Sequence, residues 1–206
     1  MKIQFAVQTG SRYHSTRLQT VLSGWWPVAR RRGHELTVYT DSLYAIAGAT
    51  VRKIDIADSY NSAIDKTMAA VNDPCDADWL IIADDDSYFF VSRLEAFLAK
   101  LNPRARIAAG YKKTFSVDPA SPAIPILHGG PGMILSRPTL RAIQGKPWAR
   151  HEINSDVTLS MLLNQEGVRV IHADGMLHTQ PADPSTCISC HMVRDQKTAA
   201  RLGGFQ

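Results

Sequence analysis

Three adjacent carboxylates, Asp84, Asp85 and Asp86, close the apolar run Trp79-Leu80-Ile81-Ile82-Ala83. The run has the length and composition of a strand buried on both faces. Strand alternation then sends Asp84 and Asp86 to one side and Asp85 to the other. Carboxylates this close repel, and ionising all three is costly unless a cation sits among them. A divalent ion such as Mg2+ or Mn2+ meets that need, because it takes one or two carboxylates and fills its shell with water and phosphate oxygens. A helix beginning after Ser87 would use one Asp as its cap, which leaves the other two unexplained. The chemistry this cluster suits is metal-assisted handling of a phosphate ester or a diphosphate.

Two reactions use such a cluster. A phosphohydrolase of the haloacid dehalogenase type carries Asp-x-Asp-x-Thr/Val after its first strand. Here the string is Asp84-Asp85-Asp86-Ser87-Tyr88, it lacks the Thr or Val, and several elements precede it. A nucleotide-sugar transferase instead sets Asp-x-Asp in mid-chain, where its metal neutralises the diphosphate leaving group. Elsewhere, Cys187-Ile188-Ser189-Cys190-His191 has the spacing of a haem-attachment string. That reading needs an exported protein and a haem-packing helix, and a zinc knuckle needs a second ligand pair at suitable spacing. The plain expectation is two thiols, or a local disulfide, in a C-terminal tail.

The elements that must carry these residues alternate along the chain. Residues 2–7 form an apolar strand. Leu18, Val21, Leu22, Trp25 and Trp26 space a helix that Pro27 ends or kinks. Leu36–Thr40 and Val51–Ile56 are strands, and Tyr60, Ile64, Met68 and Val71 space a helix stopped near Asp73-Pro74. A helix through Leu94–Leu101 is closed by Asn102-Pro103, and Arg106–Tyr111 is a strand. Residues 112–130, with three prolines, read as a loop with an extended piece at Ile124–Leu127. A strand at Met133–Leu135, helices at Arg137–Ile143 and Asp156–Gln165 and a strand at Val168–Ile171 follow, and the chain from Asp174 reads as a tail. This alternation predicts an α/β fold with a mainly parallel central sheet flanked by helices. Ligands of such sheets bind beyond the carboxyl ends of the strands.

Composition sets the outer limits. The chain has 206 residues, 45% apolar and 20% charged, enough for a full core in one domain. No apolar window reaches the ~18 residues of a membrane span. The apolar start, Met1 to Val7, is shorter than the ~7–15-residue core of a secretory signal plus its flanks. With three cysteines and no such signal, the expectation is a cytoplasmic protein. The net charge of +4 is mild, and Arg30-Arg31-Arg32 reads as a solvated helix end favoured by the dipole rather than a nucleic-acid surface.

Beyond the acidic string, several further segments resemble the Fringe-like β-1,3-glycosyltransferases. Phe5-Ala6-Val7-Gln8-Thr9 and His14-Ser15-Thr16-Arg17-Leu18 resemble that family's first strand and helix, and Thr37–Ser42 its second strand. Trp79–Phe89 resembles its metal motif, His128-Gly129-Gly130-Pro131-Gly132-Met133-Ile134-Leu135-Ser136 its glycine-rich segment and Ser155-Asp156-Val157-Thr158-Leu159 its acidic segment. Leu177-His178 is similar to its Phe-His-Ser string. The segments occur in the family's order from residue 5 to about residue 178.

The resemblance implies one GT-A catalytic domain over residues 1–206, with a nucleotide-binding half (1–83) and a metal and acceptor half (84–206). It implies inverting, metal-dependent transfer of a hexosyl or N-acetylhexosaminyl group from a UDP-sugar to a hydroxyl acceptor. Mn2+ or Mg2+ would be held by Asp86 and His178. His191 is the alternate ligand, because Ile188–His191 is similar to a Ser-x-His string in some relatives. Thr9, Arg17, Asp84, Asp85, Gly129 and Gly130 would bind the donor. Asp156 would be the general base, removing the acceptor hydroxyl's proton. The family usually has two acids at that point, and Ser155 stands where the first would be. The rivals are the metal-dependent phosphohydrolase above and a sugar-nucleotide-binding protein without turnover.

Overall fold

The computed structural model describes residues 1–57, 59, 62–116, 122–149 and 154–206. Its centre is a seven-stranded sheet. In chain order the strands of that sheet and its neighbours are β1 (Ile3–Gln8), β2 (Glu35–Thr40), β3 (Thr50–Lys53), β4 (Trp79–Asp84), β5 (Tyr88–Phe89), β6 (Ile107–Gly110), β7 (Lys112–Phe115), β8 (Ile124–Leu127), β9 (Met133–Ser136), β10 (Arg169–His172), β11 (Met176–Leu177) and β12 (Ser189–Cys190). The large sheet runs β10-β6-β9-β4-β1-β2-β3. Only β9 is antiparallel to its neighbours, so the sheet is mainly parallel, and it takes strands from both halves of the chain.

Helices cover both faces: α1 (Arg17–Ser23), α2 (Trp26–Arg31), α3 (Ala63–Asn72), α4 (Val91–Leu98), α5 (Arg137–Ile143), α6 (Ser155–Gln165) and α7 (Gln196–Gly203). The period-2 alternation of β1 and β4 divides the core in two. Ile3, Phe5, Val7, Trp79 and Ile81 pack with residues of α1, α2, α4 and α7. Ala6, Leu80 and Ile82 pack on the other face with residues of α3, α5 and α6. Gln8 and Asp84 end their strands as register partners on this second face. The first face is dense in rings: Phe5, Trp25 and Phe89 lie with centroids 4.7–5.4 Å apart, the range in which tilted aromatic pairs attract.

Four local expectations change. Pro27 sits in the first turn of α2 and so begins a helix instead of ending one, since a proline there sacrifices no hydrogen bond. Residues 112–115 are a strand paired antiparallel with β8, a hairpin that the prolines of the segment hid. The strand expected at 51–56 is shorter, Thr50–Lys53. The segment beyond Asp174 is not a tail: β11 and β12 join β5 in a small sheet, and Ala199 and Leu202 of α7 are buried in the core. Strands of two residues show no periodicity, and α7 is announced only by its cap, where Asp195 Oδ1 accepts from Thr198 N at 2.8 Å. Cys187 and Cys190 are buried free thiols in this folded segment. Tyr60, expected to start α3, and the tip of the 112–130 segment at 117–121 lie outside the described residues. Arg30 and Arg31 are in the last turn of α2, exposed, as expected of a solvated helix end. No helix among the described residues is long and apolar enough to cross a membrane.

Candidate active site

The acidic cluster begins where β4 ends. A tight turn follows, with Ser87 N donating to Asp84 O at 3.1 Å. Ser87 Oγ accepts from Asp84 N (3.1 Å) and donates to Gly130 O (2.6 Å), which ties the turn to the glycine-rich loop. Trp25 Nε1 donates to Ser87 O from the core side (3.0 Å). Val193 N donates to Asp86 O (2.9 Å), which fastens the C-terminal segment to the same turn. Three separate parts of the chain, at Trp25, Gly130 and Val193, therefore fix the turn that carries the carboxylates, and supports of this kind hold a site's geometry.

Asp86 is 2% exposed and has three cationic neighbours. His191 Nε2 is 2.8 Å from Oδ1, Arg194 Nε donates to Oδ2 at 2.9 Å, and Arg17 lies 3.8 Å from Oδ2. His191 Nε2 is also 3.7 Å from Asp84 Oδ2. Ligand-type atoms of Asp84, Asp86 and His191 all lie within 4.8 Å of one another. Two carboxylates and an imidazole are a donor set suited to Mn2+ or Mg2+. Strand alternation does not carry past Asp84, because Asp85 and Asp86 lie in the turn: Asp85 accepts from Thr9 Oγ1 at 2.6 Å, and Arg17 lies 3.7 Å from it and 3.8 Å from Asp86.

Electrostatics reflect the crowding. Burial pushes Asp85 up to about 7, with Asp86 and Asp84 adding to the rise and the Thr9 hydrogen bond opposing it. Asp84 is pushed up to about 6 by burial and then by Asp86. Burial would raise Asp86 too, but the hydrogen bonds and charges of His191, Arg194 and Arg17 outweigh it and hold it below the usual carboxylate value. His191 is lowered by burial and raised more by Asp86 and Asp84, so it ends above the usual imidazole value.

A pH dependence follows. Asp84 and Asp85 have folded values above the ordinary 3.8, so the folded chain holds their protons more tightly than the unfolded chain. These two acids therefore lower metal-free stability as pH rises through about 4 to 7, and His191, whose folded value is raised, extends that loss above 6.5, whereas His34, His128 and His178, held below 6.5 by burial, act the opposite way as pH rises towards 6.5. Asp84 is 42% exposed, so water screens it and Asp85 carries most of the effect. In EDTA, the melting temperature of the wild type should drop between pH 5 and 7.5 by about 2–4 °C more than that of Asp85→Asn, in which the histidines still titrate; that difference is the equivalent of ~1 kcal/mol for a chain of this size. Mn2+ should narrow the difference. Parallel melting profiles for the two proteins in EDTA would overturn the assignment of buried, crowded carboxylates.

Two cavities meet at this cluster. The first, of about 240 Å³, is lined by Gln8, Thr9, Tyr13, the three carboxylates and the cations Arg12, Arg17, Lys66 and Arg194. The second, of about 270 Å³, holds Asp156, Ser155, His128, His178, Gly129 and Gly130. Gln8, Ala63, Asp84 and His191 line both and form the shared wall. Asp156 stands in the first turn of α6, where the helix dipole favours a carboxylate. Its Oδ1 accepts from Val157 N at 2.8 Å, and its Oδ2 faces Gly129 N at 3.4 Å.

The two histidines named by sequence separate here. His191 belongs to the Asp84–Asp86 group. His178 is outside that group, with its ring centroid 5.4 Å from that of His191 and 4.9 Å from that of His128. The glycines also gain a reason. A Cβ on Gly130 would lie 2.4 Å from His191 Nδ1, so this position must be bare for the imidazole to reach Asp86. Gly132 has φ +100° and a Cβ there would meet Phe89 at 2.8 Å. Gly130→Ala should displace His191 and lower Mn2+ affinity by about 10–100-fold, the usual cost of losing a supporting contact, as read by titration calorimetry. Wild-type affinity in this variant would show that the imidazole is not needed.

Sequence reasoning did not find Arg194, Gln8, Lys66 or His128. Arg194 had one available signal, its place three residues after His191. Gln8 is 7% exposed, and its Nε2 donates to Thr67 Oγ1 at 2.8 Å. Its Oε1 has no hydrogen-bond partner and lies where the two cavities meet.

The chain is similar to known proteins at the level of family and fold. The model of the Fringe-like family matches residues 1–182. No curated protein matches the sequence. Among solved structures, the chain is similar to a glycosyltransferase involved in glycosylation of the major capsid of PBCV-1, with TM-score 0.57 and 12% identity over 98% of this chain and 99% of that one. It is similar to the galactosyltransferase LgtC in complex with donor and acceptor sugar analogues, with TM-score 0.54 and 13% identity over 100% and 95% of the two chains. It is also similar to the mannosyltransferase PcManGT from Pyrobaculum calidifontis in complex with GDP-Man and Mn2+, with TM-score 0.54 and 14% identity over 83% of this chain and 54% of that one. At these identities the likeness is one of fold, the mainly parallel α/β architecture of GT-A transferases.

Proposed function

The chain belongs to the Fringe-like glycosyltransferase family, and on that premise we propose that it moves a sugar from a UDP-sugar to a hydroxyl acceptor, with inversion and with a divalent metal. The observation that carries the reading is the wall shared by the two cavities. One cavity is rich in cations and the other holds, beyond the shared Asp84, the carboxylate of Asp156. A diphosphate donor in the first would direct its sugar toward Asp84 and His191. An acceptor in the second would approach that sugar from the side opposite the leaving group, and this is the arrangement that inversion needs.

Asp86, Asp84 and His191 would hold Mn2+ or Mg2+. When bound, the metal supplies charge neutralisation for the UDP leaving group. Arg17 and Arg194 add fixed positive charge at the same diphosphate, with Arg17 held over the Tyr13 ring at 4.2 Å. Thr9 orders Asp85, and Gln8 offers a hydrogen-bond acceptor to a donor hydroxyl. Asp156 takes the proton of the acceptor hydroxyl as the glycosidic bond forms.

The test is a panel of UDP- and GDP-sugars, scored by nucleotide release with Mn2+ and with EDTA, since donor hydrolysis needs no known acceptor. Metal-dependent release of UDP from one or a few UDP-sugars is the expected result. Release from GDP-sugars alone would overturn the donor assignment, and equal release in EDTA would overturn the metal. Release of phosphate from a simple ester, with no action on sugar nucleotides, would replace the reading with hydrolysis.

A further inference from the structure

The loop between β2 and β3 sets five apolar residues in a row, Leu43-Tyr44-Ala45-Ile46-Ala47. Leu43 is 76% exposed and Tyr44 41%, and neither lines the two cavities at the carboxylates. The loop is anchored. At its start Asp41 accepts from Ser11 N and from Ser11 Oγ, both at 2.7 Å. The Tyr44 ring packs on His14, 5.0 Å between centroids, and His14 Nε2 lies 2.8 Å from Thr40 Oγ1. A single exposed leucine needs no reason, but a run of apolar side chains held out on a fixed backbone marks a surface that meets something.

Two open hollows adjoin the run and share Ile46. One, of about 560 Å³, lies between the loop and α1 and α2, where Leu22, Trp26 and Pro27 face Ile46, and Arg30 and Arg31 complete the lining. The other, of about 480 Å³, is lined by the run itself with Ala49 and Val51. No acid is among the described residues lining either hollow. Arg30 is seated against the loop, since a Cβ on Gly48 would lie 2.5 Å from its Cζ. Arg30 and Arg31 are exposed and have no carboxylate partner among the described residues, whereas the next residue, Arg32, pairs with Glu95 at 2.6 Å. The dipole of α2 favours a cation at this end, but it gives no reason for an apolar loop beside that cation.

We propose that this face docks on a bilayer surface rich in anionic lipid, with Leu43 and Tyr44 entering the boundary between headgroups and acyl chains and Arg30 and Arg31 meeting the headgroup phosphates. The proposal does not depend on the transferase reading. A protein partner would need about one hydrogen bond for every 100–200 Å² it covers, and beside the two guanidinium groups the side chains here offer little but the Tyr44 hydroxyl. A bilayer asks only for apolar insertion and positive charge. Tyrosine suits the boundary, with its ring in the apolar layer and its hydroxyl among headgroups, and a guanidinium can hold a phosphate by two parallel bonds. The net charge of +4 adds a weak attraction over the whole chain. The Ser11–Tyr13 turn that anchors Asp41 also borders the cation-rich cavity through Arg12 and Tyr13, so docking would hold that cavity beside the lipid.

The experiment is sedimentation of the full chain with vesicles of phosphatidylcholine alone and of phosphatidylcholine mixed with phosphatidylglycerol, at low and high salt. The chain should sediment with the anionic vesicles, much less with the neutral ones, and less at high salt, because screening shortens the reach of the arginines. Arg31→Gln should weaken the partition about 5-fold, the worth of one basic residue at such a surface. The double variant Leu43→Ser, Tyr44→Ser should weaken it by at least about 10-fold, the worth of one large apolar side chain. Both variants should melt near the wild-type temperature, since these side chains already stand in water. Failure to bind anionic vesicles would overturn the proposal, and so would binding that the double variant leaves intact, which is adsorption by charge elsewhere on the chain. Light scattering without lipid covers the remaining occupant: a dimer that the double variant dissociates would give this face to a second copy of the chain and overturn the bilayer.

Discussion

Asp86→Asn should abolish the rise in melting temperature expected when UDP and Mn2+ are added to the wild-type chain, and it should lower transfer by at least about 10²-fold. Loss of an outer-shell partner of a metal already costs about 10–100-fold, and Asp86 is the residue on which the cationic side chains converge. His191, Arg194 and Arg17 all address this one carboxylate, and it alone of the three acids is held below the ordinary carboxylate value. Asparagine keeps the volume and one oxygen, so the turn pinned by Trp25 and Val193 survives. Arg194 is half exposed and can turn to water once its partner is neutral. Removing one of three crowded charges also relieves Asp84 and Asp85, so the metal-free variant should melt close to the wild type. Differential scanning fluorimetry with and without UDP–Mn2+ reads both quantities. A variant that keeps the full ligand-dependent shift would move the metal site elsewhere.

The position of Asp86 was legible because it depends only on local rules. Five apolar residues make a doubly buried strand, and the acids follow at its carboxyl end, although the turn there replaces the alternation expected of Asp85 and Asp86. Its partners were less legible for a physical reason. His191 and Arg194 are brought in by β12, a strand of two residues held by tertiary pairing with β5 and β11, and no periodicity marks so short a strand. The sequence therefore offered two histidines, and only the fold brought one of them to Asp86. Gly130 is similar. From sequence it suggests a flexible turn, yet what requires the missing Cβ is the ring of a residue 61 positions later. The large sheet was readable almost throughout, because its buried strands and amphipathic helices carry their periods in full. The hairpin was half readable: its second strand stands at Ile124–Leu127 as expected, but β7 is mostly exposed and shows no buried face to mark it.

Those same rules place Asp156 in the first turn of a helix, and helix geometry alone can justify an acid there. Asp156→Asn separates the structural role from the chemical one. The amide can still accept from Val157 N through its oxygen, as Oδ1 does at 2.8 Å. The change costs only the favourable charge at the helix end, about 0.3–1 kcal/mol. The cavity proposed for the donor lies across the wall that includes Gln8, Asp84 and His191, so the expected UDP–Mn2+ melting shift should persist. What the amide cannot do is take a proton. Ser155, the neighbouring side chain in that cavity, is no substitute, because a hydroxyl is far too weak a base near neutral pH. Transfer should fall by about 10²–10⁴-fold, the usual worth of a positioned base, with the loss in kcat rather than in donor KM. Hydrolysis of the donor should fall with it, since water attacking the same carbon needs the same base. Steady-state kinetics on the metal-loaded variant decides the matter: a near-normal kcat would show that Asp156 merely begins its helix.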